Sequence, residues 1–196
     1  LTPELRIVNQ GISVATIDGD NGLGFIVGHH AMNEAIQRAQ KTGAGFVAAR
    51  NSTHFGAAAY YAMMALEHDM VGIAMTNTIP GVVAPGSSKP AFGTNPLAVA
   101  IPAGQKPSFV LDMATSVVAA GKLEIARRTG QPIPEGWLID AEGKPVIDVS
   151  KRVRGQGGLL PLGGMASHGA YKGFGLGLVV DILCGVLSGS TIGLCQ

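Results

Sequence analysis

Gly45-Phe46-Val47-Ala48-Ala49, followed closely by Asn51-Ser52-Thr53-His54-Phe55-Gly56, is the stretch that decides the fold. Its first five residues are small or apolar and predict a short buried strand. Ser52 or Thr53 offers an N-cap, and Phe55, Ala58, Ala62 and Leu66 recur at near-helical intervals, which predicts a helix directly after the strand. Upstream, Ile12 to Ile17 alternates weakly as a strand, and Asp18-Gly19-Asp20-Asn21-Gly22 carries turn chemistry. Ala31, Ala35 and Ala39, with Met32 and Ile36 beside them, predict a helix over His29 to Lys41 that Gly43 ends. Strands and helices alternating in this way favour α/β layers.

Downstream the pattern changes. Met70 to Met75 reads as a strand, and a loop rich in glycine and proline runs from Ile79 to Pro90. Gly93-Thr94-Asn95-Pro96 is a rigid turn ahead of an apolar strand, Leu97 to Ile101, and Phe109 to Leu111 is another strand. Thr115 or Ser116 caps a predicted helix to Arg128, where Gly130, Pro132 and Pro134 forbid continuation. Trp137 to Val149 is a polar excursion with a turn at Asp140-Ala141-Glu142-Gly143. Gly155 to Gly164 is a glycine-rich loop, and the last helix is expected to begin near Gly173. These later links are too short for crossover helices, so antiparallel neighbours are expected.

The 196 residues, 46% hydrophobic and 14% charged, suffice for a substantial core in one or two domains. The net charge of +1 comes with no basic cluster longer than Lys151-Arg152-Val153-Arg154, which argues against a nucleic-acid partner. Cys184 and Cys195 form no CxxC pair and no metal-ligand spacing with histidine, so reduced thiols in a cytoplasm and no metal site are expected. Gly173 to Leu187 is apolar, but Asp181 interrupts it and its apolar runs fall short of the roughly 20 residues a membrane span needs. A buried or interfacial helix is the expectation there. The first residue is leucine and Ser190 to Gln196 ends without a cap, which reads as a piece of a longer protein.

Few motifs carry chemistry. Gly22-Leu23-Gly24 with Gly28 is one residue off the dinucleotide fingerprint, and a plain turn accounts for it better. His54, placed by the pattern in the first turn of a helix, would feel the positive end of the dipole and stay neutral, ready to take a proton. A histidine that merely caps or packs is the alternative, but Asn51, Ser52 and Thr53 beside it build a polar strand-end loop where sites tend to form. Asp112, after Phe109-Val110-Leu111, suits either a ribose hydroxyl or helix amides. Lys172, in Ala170-Tyr171-Lys172-Gly173, suits a phosphate or carboxylate, or is simply solvated.

Together these residues resemble the malate/L-lactate dehydrogenase family of NAD(P)-dependent oxidoreductases, the type-2 family. The blocks Asn51 to Gly56, Gly72 to Thr78, Gly93 to Pro102, Leu111 to Gly130, Gln131 to Trp137, Leu160 to Gly164 and Tyr171-Lys172-Gly173 follow one another in the family's order. The resemblance implies hydride transfer between nicotinamide, as NAD or NADP, and C2 of a small 2-hydroxy or 2-oxo acid. The implied fold is mixed α/β: a non-Rossmann cofactor domain with a largely antiparallel mixed sheet flanked by helices. It also implies a cytoplasmic homodimer with no membrane partner. Residues 1–70 would belong to a substrate-closing domain with the histidine loop, and 71–196 to the NAD(P)-binding domain.

By position, the resemblance makes His54 the proton acceptor. It makes Thr78, Asp112, Met113, Ala114 and Lys172 cofactor contacts, and it puts Asn51, Thr94 and Asn95 near the substrate. A Ser-His and Arg segment nearer the N-terminus and a glycine-containing cofactor loop beyond Gln196 would complete the site. The alternative is a catalytically incomplete cofactor-binding or dimerisation module of the same family.

Overall fold

The computed structural model describes residues 3–151 and 155–193. In chain order its elements are β1 (Arg6–Gln10), β2 (Val14–Gly22), α1 (Gly24–Thr42), β3 (Phe46–Ser52), α2 (Ala58–Met64), β4 (Gly72–Met75), β5 (Val82–Val83) and β6 (Pro90–Phe92). There follow β7 (Leu97–Ile101), β8 (Phe109–Met113), α3 (Ala120–Thr129), β9 (Leu138–Ile139), β10 (Pro145–Val146), β11 (Gly158–Leu159) and α4 (Ala170–Asp181). The chain forms two compact units. One comprises Leu1–Met75, Leu97–Asp112 and Leu183–Ser190; the other comprises Thr76–Pro96, Met113–Ile182 and Thr191–Gln196. The sequence divides once, after residue 70; the contacts put the first crossing at Met75–Thr76 and add later returns.

The first unit has a sheet of order β1-β2-β3, with β1 antiparallel to β2 and β2 parallel to β3. α1 is the crossover between that parallel pair, as a βαβ link requires. A second sheet has the order β4-β7-β8, with β4 antiparallel to β7 from Gly72↔Ala100 to Met75↔Leu97. The small residues Ala58 and Ala62 of α2 pack with Ala98 and Ala100 of β7, and Phe55 and Leu66 close the cluster. The predicted apolar face is therefore correct, although α2 begins only at Ala58 and its last turn, Ala65–His68, is a 3-10 helix.

The second unit carries the sheet β10-β9-β11-β5-β6. β11 runs parallel to β5, while β10/β9, β9/β11 and β5/β6 are antiparallel. Its core gathers Val82, Phe92, Leu123, Ile133, Leu138 and Leu159, with Trp137 and Phe174 packed against them. This sheet is mixed with mostly antiparallel neighbours, and among the described residues the chain has three sheets in all.

Four local expectations change. Asp18 to Gly22 is not a turn: β2 runs through it, and the left-handed Asp20 (φ 52°) and Asn21 (φ 53°) form a bulge where the register jumps from Asp18↔Arg50 to Gly22↔Ser52. α1 starts at Gly24, well before His29, because Gly24 and Gly28 serve close packing. A Cβ on them would lie 2.3 Å from the Thr53 carbonyl oxygen and 2.8 Å from the Tyr61 ring. Thr115 and Ser116 are buried and do not cap α3, which starts at Ala120. α4 starts at Ala170 and passes into a π-helical turn, Ile182–Val186. The expected stops hold: Gly43 (φ 85°) donates its amide to the Ala39 carbonyl, and Gly130 (φ 67°) ends α3.

No described helix is long and apolar enough to cross a membrane. Cys184 is half-buried; Cys195 and the basic Arg152-Val153-Arg154 lie outside the described residues.

On α3, Glu124 accepts from Arg127 at 2.8 and 3.0 Å and from Arg128 at 3.2 Å. Those bonds, Arg127's foremost, lower its carboxyl from 4.5 to about 2. A carboxyl depressed by folding stabilises fully above its unfolded value, so this contribution fades as pH falls from 4.5 towards 2. Glu124→Gln should flatten the acid limb of α3 helicity in a circular-dichroism titration, and added salt should shrink the difference between the two proteins.

Candidate active-site segments

In the first unit, the loop after β3 is pinned on both sides of His54. Before it, Thr53 donates its amide to the Gly22 carbonyl (3.2 Å), and its Oγ1 accepts the Gly24 amide (3.1 Å) at the start of α1. After it, the Phe55 ring stacks on Tyr61 at 4.8 Å, and the Tyr61 hydroxyl donates to the Phe55 carbonyl. Burial pushes the Tyr61 hydroxyl up, so it remains a protonated donor at neutral pH. His54 itself is exposed. Its Nδ1 accepts the Gly56 amide at 3.0 Å.

This corrects two expectations from sequence. Ser52 and Thr53 do not cap the following helix, whose N-cap is Ala57 without a side-chain bond. His54 lies outside that helix, so the dipole argument for a neutral ring does not apply to it.

Asn51 adopts a left-handed φ of 50° and donates from Nδ2 to Asp18 Oδ2 at 2.8 Å. The Asp20 amide, then Asn51 and Arg50, hold the Asp18 carboxyl below the usual carboxylate range. Asn51 therefore ties the end of β3, just ahead of the loop, to β2. Beside the loop lies a cleft of about 680 Å³ walled by Phe25, His29, Phe55, Tyr60 and Tyr61.

Asp112 falls inside β8 and remains exposed. Its Oδ2 accepts the Ala59 amide at 2.9 Å, so it caps α2 from 53 residues away. The capping alternative is thus realised, on an earlier helix than the one that follows it. Asp112→Ala should cost about 1 kcal/mol, and Asp112→Asn, which keeps an acceptor, less, as read from the urea midpoint of far-ultraviolet dichroism. Met113 and Ala114 continue from it, half-buried.

The second unit brings Thr78, Thr94 and Asn95 together. Thr78 Oγ1 accepts the Thr94 amide at 3.1 Å, and the Thr94 carbonyl accepts both the amide (2.9 Å) and the hydroxyl (3.1 Å) of Thr115. Asn95 is wholly buried at φ 36°. Its Oδ1 accepts the Thr78 amide at 3.1 Å, and its Nδ2 donates to the Gly177 carbonyl (2.9 Å) and to Asp181 Oδ1 (3.3 Å). Both ends of the Asn95 side chain are used inside the protein, so it shapes the turn through its fold. Lys172 is an exposed cation in the first turn of α4, its Nζ 5.9 Å from the Tyr171 ring centroid.

Sequence reasoning passed over Tyr61, Asp18 and the partnership of Asp181 with Asn95. A carboxylate inside an apolar helical run was the available signal, since such a group requires a polar partner.

Residues 1–195 match the family model for malate/L-lactate dehydrogenase. The chain belongs to the malate/L-lactate dehydrogenase family. It is 53% identical over 192 residues to a malate dehydrogenase of Pyrococcus horikoshii, covering 97% of this chain and 53% of that protein. It is 43% identical to an L-sulfolactate dehydrogenase of Methanocaldococcus jannaschii, covering 97% and 53%. The crystal structure of malate dehydrogenase from Entamoeba histolytica superposes with a TM-score of 0.93 at 35% identity, covering 97% of this chain and 54% of that one. The chain thus spans about half the length of the relatives it matches, within a mixed α/β fold of several sheets and helices.

Proposed function

We propose that the complete protein is an NAD(P)-dependent dehydrogenase that interconverts a small 2-hydroxy acid and its 2-oxo acid. The observation that carries this reading is His54: an ionisable ring, exposed, on a loop fixed at Thr53 and Phe55. Hydride transfer at C2 requires a polar group within hydrogen-bond reach of the C2 oxygen, and a ring on a loop pinned at both sides suits that task. Membership in a family whose relatives are named malate and sulfolactate dehydrogenases supports the same chemistry.

The residues present fit a dinucleotide chemically. Lys172 is an exposed cation beside the amino end of α4, where backbone amides and helix dipole also favour phosphate oxygens. Asp112 is an exposed carboxylate with only Oδ2 engaged among the described residues, which suits a ribose hydroxyl. The nicotinamide, when bound, supplies or receives the hydride. In this reading Thr78, Met113 and Ala114 line the cofactor. Asn51, Thr94 and Asn95 set the backbone near the substrate. Residues 1–70 serve substrate closure, and 71–196 hold the cofactor in a fold other than the Rossmann type. We further place the protein in the cytoplasm as a homodimer.

The test is oxidation of NADH and NADPH by the complete gene product with pyruvate, oxaloacetate and sulfopyruvate. His54→Ala should lower kcat/KM by about 10²-fold. Undiminished turnover in that variant would remove His54 from the reaction.

A further inference from the structure

We propose that the Gly56 amide fixes the neutral His54 ring in the tautomer that carries its hydrogen on Nε2, so that the ring meets its substrate oxygen as a hydrogen-bond donor. The functional half of this statement rests on the dehydrogenase reading above; the tautomer does not. The Gly56 N–H points at Nδ1 across 3.0 Å, and an N–H can be received only by an unprotonated ring nitrogen. A neutral imidazole then has its single hydrogen on Nε2. Nε2 is the nitrogen left to meet a ligand, because Nδ1 is already engaged with the loop.

The turn that aims this amide is built for it. Gly56 has φ 83°, a left-handed conformation that side chains rarely adopt, and a Cβ there would meet the Phe25 ring at 2.6 Å. Phe55, between the ring and the amide in sequence, is held by the Tyr61 stack and hydroxyl. Moving the ring hydrogen to Nδ1, so that Nε2 is bare, would set Nδ1–H against the Gly56 N–H, two donors facing each other.

The consequence concerns the proton. An Nε2–H donor binds the carbonyl oxygen of a 2-oxo acid and polarises it towards hydride addition at C2. The proton that oxygen then gains comes from solvent or another acid, because a neutral ring does not release its only N–H proton. Oxidation retraces the same path: the hydroxyl proton leaves to solvent or another base while Nε2–H, still set by the Gly56 amide, holds the oxygen from which the hydride departs. Gly56 is thus a positioning residue, and His54 is the group that touches the substrate.

The primary test is nitrogen-15 NMR of the histidine rings of this chain at about pH 8.5, above the ordinary histidine range. His54 is assigned among the five histidines as the signal lost in His54→Gln. The expected result is an unprotonated-type resonance for Nδ1 and a protonated-type one for Nε2. The reverse pattern, or the averaged resonances of an unheld ring, overturns the proposal. Gly56→Ala should bring His54 towards the averaged pattern; an unchanged tautomer in that variant would show that the amide is not the cause.

In the complete enzyme, His54→Gln, whose amide can donate where Nε2–H stood, should keep oxo-acid reduction within about tenfold, while His54→Asn should lose about 10²-fold. Equal losses in the two would overturn the donor role. Absence of any oxo-acid reduction by the unaltered enzyme, with the tautomer as expected, would refute the dehydrogenase reading alone.

Discussion

Asn95→Leu is expected to destabilise the second unit by about 3–5 kcal/mol, the range for stranding a buried charged partner. The side chain is wholly buried and links three places: the amide of Thr78, the carbonyl of Gly177 and the carboxylate of Asp181. Leucine fills a similar volume but answers none of them. The Thr78 amide alone, left unmet, costs about 1–3 kcal/mol. Asp181, itself only 3% exposed, loses a donor in an environment that offers no water in exchange.

The backbone adds to the loss, because φ is 36° at position 95 and asparagine tolerates the left-handed region better than leucine. Asn95→Asp should also be harmful, since it sets a second carboxylate against Asp181. Trp137, the single tryptophan, packs on this unit's core, so its fluorescence in urea reports the change. A loss under about 1 kcal/mol would show that the network does not hold the unit together.

Gly93→Ala should be of similar size, about 3 kcal/mol, at the upper end for an added methyl group in a closed site. A Cβ at 93 would stand 1.9 Å from Thr78 Oγ1 and 2.4 Å from the Thr78 carbonyl oxygen. The hydroxyl can be removed, but the carbonyl cannot. Adding Thr78→Ala to Gly93→Ala should therefore recover only part of the loss. Gly86→Ala is the internal comparison: it lies in the same segment at φ 78° with no atom within 4 Å of the added methyl, so only strain remains. Its cost should be about 1 kcal/mol. If the two alanine variants unfolded at the same urea concentration, steric exclusion at 93 would not be the reason for glycine there.

What the sequence revealed and what it concealed follow from how far each interaction reaches. The ends of α1 and α3 were legible because Gly43 and Gly130 act on their own helices, and β7 was legible from Leu97 to Ile101 because its apolar run stands between a rigid turn and Pro102. The beginnings of helices were not. α2 takes its cap from Asp112, 53 positions later, so the nearby Ser52 and Thr53 gave a false signal. The Asp18-to-Gly22 segment has the composition of a turn because a bulge needs the same left-handed residues. Thr115 resembled a cap, but its hydroxyl is committed to the Thr94 carbonyl, a pairing that no local rule anticipates.

The same limit applies to the site segments. His54, Asp112 and Lys172 were visible as residue types in suggestive places, and Thr78 only through the family resemblance. Their bonds are long-range: the loop bearing His54 is locked by Gly22, Gly24 and Tyr61, and Thr78 by Thr94 and Asn95. Pattern and resemblance singled these groups out as candidates; only the fold showed which of their atoms are already engaged.

The chain leaves the first unit at Met75, returns at Leu97, departs again after Asp112, and comes back once more at Leu183. Neither half is a contiguous stretch of gene. A nick by a protease in the 76–96 excursion would leave each half assembled from severed pieces, and an expression clone ending at Asp112 would carry Thr76 to Pro96 without the residues that complete its fold. Engineering this protein by shuffling modules with a relative therefore demands several simultaneous junctions rather than one.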